Sequence, residues 1–353
     1  MKANKTLQLA DLSKYKAEIY GISILWIMLF HAHPMFGVHY DFGKAFLKPL
    51  DTLIGFGNMG VEIFLFCSGV FLYFSYYRNS DAFQFMCKRI ARLFWPIAII
   101  SAPYWVYTCI VKNGSVLQFV SKCTMLDFWI SGDQQIWFVS AIFLFYLIYP
   151  YIYGFLFKAK FLNEFARLIV LLAVVAVVTL SVCYIYPEYF AKIEIALTRL
   201  PVFIIGCYFG KLVYEKKTVS KYFYLLCLVL AVTALVVLNL GVFTGVCKRW
   251  FYLVGGIPMT FLIIWVLNLL NSKWINKFFA FFGGISLNLY VSHVVVIRVY
   301  KLLPFGDTRN VPVYLILIAV SVLVGWLAEL LIKQIMKPKV KAQSIWSSGV
   351  YGK

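Results

Sequence analysis

The chain has 353 residues, 63% of them hydrophobic and only 13% charged, with a mean hydropathy of +0.84, a balance that excludes a water-soluble globular protein. A formal charge of +19 and a pI near 9.5 would suit a nucleic-acid binder, but a membrane protein collects Lys and Arg in its cytoplasmic loops, where they orient the chain. Eight scattered cysteines (67, 87, 109, 123, 183, 207, 227 and 247) with no C-x-x-C pair read as small buried hydrophobes, neither a disulfide framework nor a metal site.

Crossing a hydrocarbon core of roughly 30 Å takes about 20 apolar residues. Stretches of that kind fall at roughly 17–36, 54–77, 91–111, 134–156, 166–186, 198–214, 222–243, 250–270, 278–303 and 311–333. Each must be a helix, because lipid offers no partner for free backbone groups. The expected fold is therefore an all-α, polytopic bundle of about ten transmembrane helices. With the N-terminus inside, the inner segments hold 18 Lys or Arg and the outer ones 8, which puts both termini in the cytoplasm; the expected location is the cytoplasmic (inner) membrane. The excess charge is explained without nucleic acid. A single membrane domain spans 1–336, and a short basic tail follows at 337–353. The first stretch follows Lys14 and Lys16 as a secretory signal would, but it has full span length, no small-residue cleavage site, and carries Glu18 and His31, so it is expected to stay. Aromatics at span ends, such as Tyr76, Tyr77 and Tyr149 to Tyr153, read as headgroup anchors.

Ionisable groups inside spans cost about 2.5–3.5 kcal/mol each, and so point to function. In span one, Tyr20 and His31 are eleven residues apart, within about 20° of one face and roughly 16 Å along the axis. Lys16 lies a turn earlier. His31 falls in the outer half, where a neutral imidazole can act as general base for a hydroxyl. His33 and His39 fall at the outer mouth and read as structural. In span two, Glu62 stands isolated among aromatics, able to orient a histidine or to tie helices together. Arg89 and Arg92 share one face at the cytoplasmic start of span three, suited to gripping a phosphorylated ligand or to setting topology. In span nine, Ser286, Tyr290 and His293 form one polar stripe, with His293 in the same half as His31. Two histidines and a carboxylate at non-local spacing are a weak metal signal, and no metal is expected. Glu329 and Lys333 fit an i,i+4 pair.

These residues carry a resemblance to the acyltransferase family 3 membrane proteins, over nearly the whole chain. It rests on Gly21-Ile22-Ser23-Ile24-Leu25 through Phe30-His31, Gly60-Val61-Glu62-Ile63-Phe64 with Ser68-Gly69, and Lys88-Arg89 with Arg92 and Pro96. It continues through Ile136-Trp137-Phe138-Val139-Ser140-Ala141 with Tyr146, Arg199-Leu200-Pro201-Val202-Phe203 with Gly206, and Ile285-Ser286-Leu287-Asn288-Leu289-Tyr290-Val291-Ser292-His293. The resemblance implies an enzyme of about ten helices that moves an acyl group, usually acetyl, from cytoplasmic acyl-CoA to hydroxyls of glycans or other acceptors across the membrane. The family's first-helix signature is Arg, ten residues, then His. The His falls on His31, but the Arg position holds Tyr20, which cannot replace a guanidinium on phosphate. Either Lys16 takes that role, or Arg89 and Arg92 carry it, or this branch handles its donor differently.

The expected mechanism has acyl-CoA, most simply acetyl-CoA, docked at the cytoplasmic face with Arg89, Arg92 and Lys16 on its phosphates. His31 activates the acceptor hydroxyl, Glu62 or His293 tunes its protonation, and Tyr20, Ser68, Trp137, Arg199, Ser286 and Tyr290 shape the channel. Two rivals fit the same spans: a transporter or flippase of a glycan or lipid-linked sugar without acyl transfer, and a noncatalytic membrane scaffold.

Overall fold

Apolar stretches of this length fold as the physics of lipid requires. The computed structural model describes residues 7–36, 48–220, 222–304 and 311–336. Helices follow in the order α1 (Lys16–Phe36), α2 (Lys48–Gly55), α3 (Met59–Arg78) and α4 (Ala82–Lys112). Two short helices, α5 (Val116–Cys123) and α6 (Asp127–Ser131), precede α7 (Trp137–Lys158) and α8 (Glu164–Ile185). Then come α9 (Pro187–Leu197), α10 (Leu200–Tyr214), α11 (Tyr222–Asn239), α12 (Gly245–Leu270), α13 (Lys273–Gly284), α14 (Ser286–Tyr300) and α15 (Val311–Ile335). Among the described residues the only sheet pairs β1 (Leu7–Gln8) antiparallel with β2 (Thr218–Val219).

Among those residues, eight helices are long and apolar enough to cross a bilayer, nine if the bent pair α13–α14 counts as one span. Each expected span falls on one of these segments or on α1. Three differ in shape. The third begins at Ala82, because the Asp81 side chain caps the helix by accepting from the amides of Phe83 and Gln84, and this lead-in carries Arg89 and Arg92. Further along, the ladder widens to π-helix at Ile97–Ser101 and Val106–Lys112, next to Pro96 and Pro103, which donate no backbone N–H. The sixth is preceded by α9, joined to α10 across Thr198 and Arg199. The ninth breaks at Ile285, where α13 and α14 meet at 65°.

The bundle is built around α3, whose Ile63, Leu65, Phe66, Cys67 and Val70 are fully buried. It packs against α10, α1 and α12. Between α3 and α10 the backbones touch: a Cβ on Gly206 would stand 2.2 Å from the Phe66 carbonyl oxygen. Close approach through glycine is how helices associate where lipid gives no hydrophobic drive. α1 and α13 meet the same way, and a Cβ on Gly283 would stand 1.7 Å from the Ala17 carbonyl oxygen. Backbone cannot give way there, so Gly283→Val is expected to destabilise the bundle by about 1–3 kcal/mol or more. Gly284 beside it faces open space: among the described residues nothing lies within 4 Å of where its Cβ would stand. In detergent thermal unfolding Gly283→Val should lower the midpoint and Gly284→Val should not.

Two expectations need correction. Tyr76, Tyr149 and Tyr153 are not headgroup anchors: they are buried in an internal aromatic cluster with Tyr73, Phe85, Phe157 and Tyr214. Helix spacing places one ring of each neighbouring pair inward, while Tyr77 and Tyr151 stay exposed at 51% and 80%. All eight cysteines are free, but Cys87 and Cys247 are exposed, not buried.

Candidate active site

α1, α3, α4, α7 and α14 converge on a partly open cavity. Lys16 and Tyr20 reach it from α1, Phe64 and Ser68 from α3, Arg89 and Arg92 from α4, Phe138 and Tyr146 from α7, and Ser286 and Tyr290 from α14. Seven residues singled out in the sequence thus share one wall. Three of them are cations, and among the described residues no carboxylate lines the cavity. The cations are held by aromatic faces: Lys16 Nζ stands 4.3 Å from the Phe71 ring centre, and the Arg89 guanidinium 5.3 Å from Phe85 and 5.8 Å from Tyr146. Such contacts hold a cation without cancelling its charge. Arg89 Nε is buried and has no hydrogen-bond partner among the described residues. A cationic mouth on a cavity lined by both polar and apolar side chains suits a ligand with an anionic group. Tyr20 fills position 20 by lining the cavity with Ser68 and packing 5.1 Å from the Phe64 ring. It supplies no cation; Lys16, Arg89 and Arg92 do.

At its inner end the cavity closes on Ile27, Phe64, Phe138 and Tyr290. The Tyr290 hydroxyl accepts from the Phe138 amide at 3.4 Å, and the Phe138 ring stands 5.1 Å from Tyr290 and 5.9 Å from Phe64. Just past this aromatic floor lies the His293 ring, 5.6 Å from that of Tyr290. His293 Nε2 is 3.1 Å from His31 Nδ1, and His293 Nδ1 is 2.9 Å from the Leu289 carbonyl oxygen. A carbonyl only accepts, so His293 Nδ1 carries the proton. With both rings neutral, His293 Nε2 then accepts from His31 Nδ1–H, which leaves the lone pair on His31 Nε2. His293 is 2% exposed while His31 is exposed, so one ring is anchored and the other is accessible. Lys16 and His31 are separated by about 22 Å along α1 at 1.5 Å per residue. α15 braces this end, with Tyr314 donating to the Met28 carbonyl and Ser292 donating to the Ser321 carbonyl at 2.8 Å.

Glu62, Arg199 and Trp137 do not line this cavity. Glu62 Oε1 stands 2.7 Å from Arg199 Nε, with both side chains at most 2% exposed. Arg199 also donates to the Ile195 carbonyl at 2.8 Å and to Asn58 Oδ1 at 2.9 Å, and lies 5.1 Å from the Trp137 ring centre. Glu62 therefore orients an arginine, and the group that touches His31 is His293. Glu329 and Lys333 do pair, at 3.3 Å. His39 and the side chain of His33 lie outside the described residues, as does the 337–353 tail.

Several contributors escaped sequence reasoning. Phe64 and Phe138, which form the floor, lie within the quoted motifs, but chemically they look like any other apolar residue in a span. Asn58, one turn before Glu62, was a readable polar signal. Apart from the cavity, Lys122 pairs with Asp133 and, at 3.0 Å, with Asp127, stapling the segment between α4 and α7. Burial alone would lower the Lys122 pKa, but hydrogen bonds and charge from Asp133 and Asp127 raise it above its ordinary value. Among the described residues no three His, Cys, Asp or Glu side chains group as a metal site would require.

Comparison with curated proteins and with solved structures found no match. A family model described as an acyltransferase domain does match, over residues 21–330. That range takes in the whole bundle from Gly21 in α1 to the last turns of α15, with the cavity, its floor and the histidine pair, and the chain accordingly belongs to acyltransferase family 3.

Proposed function

We propose that the protein transfers an acyl group, most simply acetyl, from cytoplasmic acyl-CoA to a hydroxyl of a cell-surface glycan or similar acceptor. The observation that carries this reading is a cavity with three uncompensated cations at its mouth, running toward a histidine pair that leaves His31 Nε2 free. The phosphates of the donor sit among Lys16, Arg89 and Arg92, and the acyl-pantetheine arm runs past Tyr20 and Ser68 toward the floor. Phe138 and Tyr290 shift to admit the thioester.

The step balances without a metal or redox partner. His31 Nε2 takes the proton of the acceptor hydroxyl as its oxygen attacks the thioester carbonyl. The C–S bond breaks, an ester forms, and the CoA thiolate takes the proton back from the imidazolium. His293 positions His31 by accepting its Nδ1–H, and so fixes which nitrogen is the base. The positive-inside count supports a donor side at the Lys16 end and an acceptor side at the His31 end.

The test is release of free CoA thiol from acetyl-CoA by purified full-length protein in detergent, with and without candidate glycans. Acceptor-dependent thiol release with an acetylated product is the expected result. Movement of a glycan across proteoliposomes with no thioester consumed would establish the transporter instead.

A further inference from the structure

A second cavity, of about 880 Å³, lies on the other side of Arg92. It shares Arg92, Ser286 and Leu287 with the first, so one guanidinium fronts both. Its walls are α4 (Lys88, Arg92), the break between α13 and α14 (Gly284 to Asn288) and the end of α15 (Glu329, Lys333). Among the described residues three cations face one carboxylate, and that carboxylate is already engaged: Glu329 accepts from Asn288 Nδ2 at 2.9 Å and pairs with Lys333 at 3.3 Å.

The helix break adds donors. The first backbone bond of α14 runs from Leu289 N–H to the Ile285 carbonyl. The amides of Ser286, Leu287 and Asn288 precede it and are not used by the helix, as at any free helix start. Such an end attracts anions, and a helix is broken inside a membrane where the freed backbone lines a cavity. Ser286, only 7% exposed, lines both cavities, and no hydrogen bond of its hydroxyl is made within the described residues. A hydroxyl that meets no partner among the described residues and faces the cavity from a largely buried residue, in a wall of cations and free amides, is built for an oxyanion.

We propose that this second cavity seats the phosphorylated nucleoside end of the thioester donor, with Arg92 and the start of α14 at the junction where its diphosphate passes to Lys16 and Arg89 in the acyl arm's cavity. The inference rests on the acyl-CoA reading and assigns the donor's two halves to two compartments. It gives Lys88 and Lys333 a role that no motif assigned them.

The experiment is direct binding of CoA and of pantetheine, which lacks the nucleotide, to the full-length protein in detergent by calorimetry. Lys88 is exposed and the Lys333 side chain is 67% exposed, so Lys88→Gln and Lys333→Gln should fold. Each is expected to weaken CoA binding about tenfold, the scale of one charge-assisted hydrogen bond, with pantetheine binding unmoved. Gly284→Leu, which fills the cavity from a position with open space, should weaken CoA in the same selective way. Unchanged CoA affinity in all three variants overturns the proposal while the acyl-transfer reading stands. Cation-dependent CoA binding without thiol release upholds the proposal and removes that reading. An anionic lipid source is tested in nanodiscs: phosphatidylglycerol that displaces CoA, with the same dependence on Lys88 and Lys333, assigns the cavity to a lipid headgroup and overturns it too.

Discussion

Replacing His31 with alanine is expected to lower acyl transfer by about 100- to 10,000-fold, the range a positioned general base contributes, while insertion and the unfolding midpoint stay near those of the parent. The stability half follows from exposure: His31 is accessible at the end of α1, and the partner it leaves, His293, still bonds the Leu289 carbonyl. The activity half follows from the lone pair, which the hydrogen-bond chain leaves on His31 Nε2 and on no other atom of the pair. Changing His293 tests the chain itself. His293→Phe keeps a ring but loses the acceptor, so it should cost part of the turnover; His293→Gln, whose side-chain carbonyl can accept the same N–H, should restore some of it. Acetyl transfer from radiolabelled acetyl-CoA in membranes checks both. A His31→Ala protein that inserts normally and keeps full transfer would end the proposed mechanism.

What the sequence revealed and what it hid follow from the same physics. Span positions were readable because lipid forces a length and a composition on every crossing segment. Lys16, Arg89, Arg92, Ser286 and Tyr290 stood out because polar groups are costly there, and the fold gathers all five around one cavity. Periodicity placed His31 and His293 in the same half of the bundle, but only the crossing of α1 and α14 brings them to 3.1 Å. Partner choice was hidden too. Glu62 could have met any cation or imidazole, and its pairing with Arg199 depends on the junction between α9 and α10, which hydropathy does not mark. The aromatic floor was invisible because Phe64 and Phe138 are ordinary span residues until a cavity ends on them. The tyrosine at position 20 was legible as a departure from the family signature, and the cations around it show how the mouth stays positive without an arginine there.

The Glu62–Arg199 pair carries the largest expected effect on stability. Both groups are at most 2% exposed and 2.7 Å apart, in a bundle where an uncompensated charge has no water to turn to. Glu62→Leu leaves the Arg199 guanidinium buried against Trp137 with only neutral acceptors, and Arg199→Met strands the Glu62 carboxylate. Either change is expected to cost about 3–5 kcal/mol, the penalty for breaking a buried pair from one side. The double variant Glu62→Leu/Arg199→Met removes both charges and fills the space with apolar atoms, so it should regain most of that loss, as such replacements do when shape is kept. Unfolding midpoints of the four proteins in one detergent close the cycle. Acyl transfer by the same four separates two roles for Glu62. If it acts only by holding Arg199 and the Trp137 end of α7 in place, the double variant recovers turnover along with stability, and that is the expected result. Stability that returns without turnover would move one of the two from scaffold to substrate contact and would favour a catalytic role for Glu62.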